Sequence, residues 1–216
     1  MSTFSQLKTE IANKLGEGTL SSTFIGDEIN SVIRYYGRSR FWFNEDATSI
    51  TLTANDPVVP SLPSDFLYEI PDGGLVISYS SNRYVLTKKG NAEYDIENCQ
   101  GIGLPYMYRN RDSQLELYYY PDQAYTLLLY YVKKYSDLSA DGDTNGFTDN
   151  ADQLIVYATL SRLYETYRKD SEKGLYYRSI ADDELNRLLI ESNRRTSTGS
   201  LVIEDLSQSV DSTIIL

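Results

Sequence analysis

The segment from Gln114 to Tyr167 restricts the fold most, because two β-prone runs, a polar loop and a long helix follow one another without interruption. The runs QLELYYY and AYTLLLYYVKK meet at Tyr120-Pro121-Asp122-Gln123. Proline pre-sets a turn φ and Asp favours tight reversals, so the pattern predicts a β-hairpin. Leu115, Leu117 and Tyr119 share one face of its first strand. In the second, Tyr125, Leu127, Leu129 and Tyr131 alternate with Leu128, Tyr130 and Val132, which predicts a strand covered on both sides. The loop DLSADGDTNGFTDN then leads into the helical pattern ADQLIVYATLSRLYETYR.

Upstream, Phe4, Leu7, Ile11 and Leu15 recur at helical spacing, predicting a helix over 3–15 that Gly16 and Gly18 stop. A second helix is expected over 23–40, with Ile25, Ile29, Val32 or Ile33, and Tyr36 on its stripe and Ser22 or Thr23 as cap. Phe41-Trp42-Phe43 follows, and Trp42 is expected to anchor the helix end in the core. From Ala47 to Lys134 the period becomes 2, with strands predicted at 49–53, 67–70, 75–79, 84–87 and from Pro105 onward. Three prolines in DPVVPSLPSDF exclude a central strand there, and 90–100 could form a short helix.

The helix after the polar loop has two apolar stripes. Leu154, Tyr157, Ala158, Ser161 and Tyr164 form one; Val156, Leu160, Leu163 and Tyr167 form the other. So wide an apolar surface predicts burial on two sides, in its own fold or against a neighbour, and the second stripe is the candidate subunit interface. A break at 170–174 and an amphipathic helix over 175–193 complete an antiparallel pair. The expected class is α+β: a helical bundle (residues 1–46 and 137–193), an inserted antiparallel β-domain (47–136) and an extended C-terminal arm (194–216).

Within that arm, Leu201, Val202, Ile203 and Leu206, and then Ile214, Ile215 and Leu216, form apolar clusters in a stretch with no Lys or Arg. One reading is a terminus with no fixed structure; the other makes these the candidate partner-binding residues of an arm that is loose alone and orders on a partner by strand addition. The net charge of −11 argues against a broad phosphate-gripping surface. No apolar run approaches the ~18 residues of a membrane span. MSTFSQLKTE has no signal-like character, and Cys99 stands alone, so a cytoplasmic, reducing site of synthesis is expected. Twenty tyrosines, each apolar with a polar tip, suit large and partly wet protein interfaces.

One motif points toward a metal. Asp141, Asp143, Asn145, Gly146, Asp149 and Asp152 match the spacing of an EF-hand calcium loop, with Asp in place of the final Glu and a strand in place of the entering helix. Turn formation and helix capping explain the same residues without calcium. The chain has no His for a triad or zinc site, and no phosphate-binding glycine loop or nucleophile elbow. Asp182-Asp183-Glu184, Asp95 and Glu97 read as solvated acids. No cofactor and no catalytic residue is therefore expected.

The order of softer motifs carries a resemblance. Phe41-Trp42-Phe43-Asn44, Leu62-Pro63-Ser64-Asp65-Phe66, Leu117-Tyr118-Tyr119-Tyr120-Pro121, Asp137-Leu138-Ser139, Asp152-Gln153-Leu154 and Leu163-Tyr164-Glu165 follow in sequence. Over about residues 1–193 the chain resembles the adaptor (head-to-tail connector, or neck) proteins of tailed bacteriophages, most those of short-tailed phages. The resemblance implies a non-enzymatic virion protein: a helical bundle with a β-insertion, assembled as a dodecameric ring under the portal. Such a ring extends the double-stranded DNA channel, receives the tail or nozzle, and sends its C-terminal arm onto the portal. A tail-tube or tail-accessory protein is the alternative, and a carbohydrate-binding β-module a distant third.

Overall fold

Thr3 starts the first helix, α1 (Phe4–Leu15), with a reciprocal cap: its hydroxyl accepts from the Gln6 amide, and its own N–H donates to the Gln6 side chain at 2.9 Å. Phe4, Leu7, Ile11 and Leu15 are all buried, and Gly16 at positive φ ends the helix. The computed structural model describes residues 1–16, 20–71, 73–93, 101–111 and 114–196. The predicted short helix over 90–100 lies mostly outside these residues.

Helix α2 (Ser22–Tyr36) is capped by Ser21, one residue before the expected cap, and buries Ile25, Ile29, Val32 and Ile33. It stops at Gly37, short of Arg40, because buried Asn44 takes over the chain. Asn44 donates to the Ser39 carbonyl at 2.8 Å and accepts from the Phe41 amide at 2.7 Å, folding Trp42–Asn44 into a 3₁₀ turn. Phe41, not Trp42, is the anchor. It is fully buried, stacked on Phe43 and edge-on to Phe147. Trp42 is only half-buried and carries the Arg195 guanidinium over its ring at 4.4 Å. A plain phenyl ring has no N–H to satisfy, which suits it to the enclosed position.

Eight strands follow: β1 (Glu45–Thr51), β2 (Phe66–Glu69), β3 (Leu75–Tyr79), β4 (Asn82–Val85), β5 (Thr87–Lys88), β6 (Met107–Arg111), β7 (Gln114–Tyr118) and β8 (Thr126–Lys133). In the larger sheet β8 is central, antiparallel to β1 on one edge and to β3 and β2 along the other, with β4 outside β3. The smaller sheet runs β5-β6-β7, with β5 parallel to β6.

The predicted hairpin is therefore overturned: β7 and β8 belong to different sheets. Tyr119 takes a left-handed φ of 65°, and the 119–125 link crosses from one sheet to the other. Leu115 and Leu117 then face Leu127 and Leu129 across the β core instead of pairing beside them. Both edges of each strand are already taken. β7 bonds β6 on one side and Pro57–Val59 on the other, through Leu117 N–H to the Pro57 carbonyl (2.7 Å) and Val59 N–H to the Leu115 carbonyl (2.9 Å). Coverage of β8 is two-sided only in part: Leu127, Leu129 and Tyr131 are buried on one face, whereas on the opposite face Val132 is buried and Leu128 and Tyr130 are half-exposed.

One short helix and a long hairpin of helices close the chain: α3 (Gly146–Asn150), then α4 (Asp152–Leu163) with a widened last turn (Tyr164–Arg168), and α5 (Ser171–Thr196). Lys169 reverses direction in the left-handed region, at φ 55°. The break is shorter than predicted, since α5 already begins at Ser171. Gly174 is not a breaker but a buried helical residue whose carbonyl accepts from the Ser161 hydroxyl at 2.9 Å. A side chain there would run into Glu165, so glycine lets α5 approach α4 closely. Helix α4 is the centre of the bundle, with α1, α2 and α5 packed around it.

Candidate assembly surfaces

The polar loop before α3 places its acids in separate jobs. Asp143 accepts from the Ser139 and Ala140 amides at 2.7 and 2.8 Å, and these backbone donors hold its carboxyl below the usual range. Asp141 pairs with Lys8 at 2.7 Å. Asn145 caps α3, and Asp152 accepts from the Ser2 hydroxyl at 2.8 Å and from the Gln153 amide. The backbone carbonyls of Asp143 and Asp141 accept from the Phe4 and Ser5 amides, each at 3.0 Å. Those are N–H groups that the first turn of any helix leaves unsatisfied. The EF-hand-like spacing thus docks the N-terminus. Among the described residues no three acids, His or Cys converge on a common point.

Two further contacts hold the same loop. Asn30, buried on α2, donates to the Leu138 carbonyl at 3.0 Å and accepts from its amide at 2.9 Å. The Tyr135 hydroxyl donates to the Phe43 carbonyl at 2.5 Å, beside Phe147, and burial pushes its pKa up to about 12. Tyr131 behaves alike: burial first, then its hydrogen bond to Asp65 at 3.1 Å, raises it to about 12.

The structure corrects the interface stripe. Val156, Leu160 and Leu163 are fully buried in the chain's own helical core, and of the four only Tyr167 reaches the surface. The second apolar face of α4 is answered by α1, α2 and α5, because a central bundle helix needs contacts all round. Leu201, Val202, Ile203, Leu206, Ile214, Ile215 and Leu216 lie outside the described residues.

Surfaces that periodicity did not single out are exposed instead. Leu175, Tyr176 and Ile190 stand on the outer side of α5, Tyr35 on α2, and Tyr79, Tyr84, Val85, Ile102 and Tyr106 on the β half. The tyrosine surplus was the one signal for them. Between α2 and α5, floored by α4, lies an open groove of about 690 Å³. Val32, Ala158 and Ala181 give it an apolar bottom, Tyr35 and Tyr36 one wall, and Arg38, Arg178, Glu165 and Asp182 a charged rim. Arg162, also at the rim, is already tied to Glu28 (3.2 Å) and the Ser31 hydroxyl (3.0 Å). Burial, then the nearby Asp182 charge, raises the Tyr36 pKa. No helix among the described residues is long and apolar enough to cross a membrane.

No curated protein matches the chain. The sequence profile of the SU10 adaptor protein family does, over residues 2–203, which takes in both the helical and the β half. The chain therefore belongs to the SU10 adaptor protein family, and it is a structural adaptor protein of a phage.

Proposed function

We propose that the protein is one subunit of a ring, dodecameric in its assembled form, that joins the portal to the tail or nozzle in the virion neck and lengthens the DNA channel. The carrying observation is the family match across residues 2–203. The net charge of −11 supports the channel role, because like-charged walls cannot hold the phosphate backbone and leave DNA free to slide. With Val156, Leu160 and Leu163 used internally, the lateral contacts between copies fall to exposed side chains, Tyr167 among them. Residues 196–216 anchor the ring to the portal through their apolar clusters.

Removing residues 196–216 tests the anchoring. The shortened chain is expected to keep its far-UV circular dichroism and melting midpoint yet fail to co-sediment with portal rings. Undiminished loading would assign portal binding to the body instead. Ring formation is tested separately, by sedimentation of the full chain with and without portal present.

A further inference from the structure

The larger sheet ends in two open edges, β1 and β4. The Leu52 N–H bonds the Tyr125 carbonyl and the β1–β8 register is unbroken, so the alternation of an antiparallel ladder turns the N–H and C=O of Ser49 and Thr51 away from β8. The Leu86 N–H bonds the Leu75 carbonyl, which by the same alternation turns those of Arg83 and Val85 away from β3. Among the described residues nothing meets these outward groups. Ser49, Thr51 and all of β4 are exposed. Long edges that stay in water are ordinarily guarded by Lys, Pro or a bulge, and the seven residues of β1 carry none of these.

Direction and side chains match the two edges to each other. The order β1-β8-β3-β4 is antiparallel at every step, so β4 runs opposite to β1. A second copy turned about an axis along the strands therefore brings its β4 antiparallel to β1, head to tail. Within one copy the registers give unbroken rungs, Ser49-Leu128-Val76-Val85 on the outer face and Ile50-Leu127-Ile77-Tyr84 on the core face. Setting Val85 of the next copy opposite Ser49 continues both rungs. It also lays that copy's Tyr84, 38% exposed in the single subunit, beside Ile50. The outward groups then fall into register as two hydrogen-bonded pairs, Ser49 with Val85 and Thr51 with Arg83. Pairing β1 with a second β1 about a two-fold axis would close a dimer and leave Tyr84 and Val85 bare.

We propose that β1 of one copy pairs with β4 of the next, so that the larger sheets run on from subunit to subunit. This deepens the ring reading and rests on it, because so small a contact acts only where other contacts already hold the copies side by side. It adds a backbone seam to the side-chain contacts between copies.

Oxidation of the assembled protein tests the seam, using Ser49→Cys with Val85→Cys in a chain whose own thiol is removed by Cys99→Ser. Within one copy the two positions lie three strand spacings apart, roughly 14 Å, beyond the reach of a disulfide. Across the seam a hydrogen-bonded pair sets its Cα atoms about 5.5 Å apart, within that reach. Copper–phenanthroline in air should therefore give a ladder of covalently linked copies on denaturing gels, while each single-cysteine variant stays monomeric. Dimers from Ser49→Cys alone would overturn the proposal by assigning the edge to a two-fold contact. Rings that sediment normally yet give no ladder would overturn it and leave the ring reading intact. Single subunits throughout, with portal rings present, would overturn both.

Discussion

Helix α4 and strand β8 hold the same position in the two halves of the molecule, and they reach it by different means. Helix α4 satisfies its own backbone and needs neighbours only for its side chains, so α1, α2 and α5 bury Leu154, Ile155, Val156, Leu160 and Leu163 on all sides. Strand β8 needs neighbours for its backbone first. It bonds β1 on one edge and β3 and β2 on the other, and presents one buried face to the second sheet. The lesson is that both central elements are used up inside the subunit. Among the described residues, the apolar surface left facing outward lies at the perimeter: the outer side of α5, the α2–α5 groove and the exposed tyrosines.

The harshest test of this parallel is to cut a cavity in each core. Leu160→Ala and Leu129→Ala should each cost about 2–5 kcal/mol, since both side chains are fully buried. Urea unfolding followed by Trp42 fluorescence and by circular dichroism should give one coincident transition for both variants. If Leu129→Ala left the Trp42 transition in place while circular dichroism shifted, the halves would be separate folding units.

A loss of comparable size is expected at the seam where β8 hands over to the helices. Asn30→Ala removes both hydrogen bonds to Leu138 and orphans a buried N–H and a buried carbonyl, at about 1–3 kcal/mol each. A denaturation midpoint no different from the natural chain would show that water replaces the clamp.

The next prediction is a pH effect. Tyr131 and Tyr135 have pKa values raised from 10.0 to about 12, so the folded state holds their protons more tightly than the unfolded chain does. Their contribution is fully present below pH 10, and is lost as pH rises from there through about 12. Tyr135→Phe and Tyr131→Phe should flatten the alkaline fall in melting midpoint. An unchanged alkaline slope in the double variant would place the titrating groups elsewhere. Asp143 works in the opposite sense: its lowered pKa stabilises the loop above the ordinary carboxylate range and stops doing so as pH falls through the folded value. Asp143→Asn should therefore narrow the difference between neutral and acid melting midpoints.

The mildest change is Tyr167→Ala, expected to alter stability by less than about 0.5 kcal/mol because the ring is already on the surface. Its effect belongs to assembly, as a shift toward smaller species in sedimentation. A variant that melts early instead would return Tyr167 to the interior role its three stripe-mates hold.

How much was legible follows from the range of the forces involved. Helix α1 was readable in its span and its stop, because the Phe4-Leu7-Ile11-Leu15 stripe and Gly16 all act within a few residues. Strand β3 was readable for a similar reason: its apolar run is bounded by turn residues on both sides. The 120–123 turn was misread because proline and aspartate specify a change of direction, not whether the joined strands pair within one sheet or face each other across two. Trp42 was misread because aromatic area alone does not say which ring of three is enclosed. Gly174 was taken for a break when it marks a close helix–helix approach.

Local rules in the amino-acid order settled the class of each half, the apolar stripes of α1 and α2, and the dominance of the segment from Gln114 to Tyr167. They could not settle which apolar surface faces inward and which faces another molecule, because a stripe on α4 looks the same in either case. Only the assembled tertiary structure chose, by enclosing α4 and leaving α2 and α5 apart over it. Burial is a property of several distant segments together: Val156, Leu160 and Leu163 are interior because α1, α2 and α5 happen to meet there.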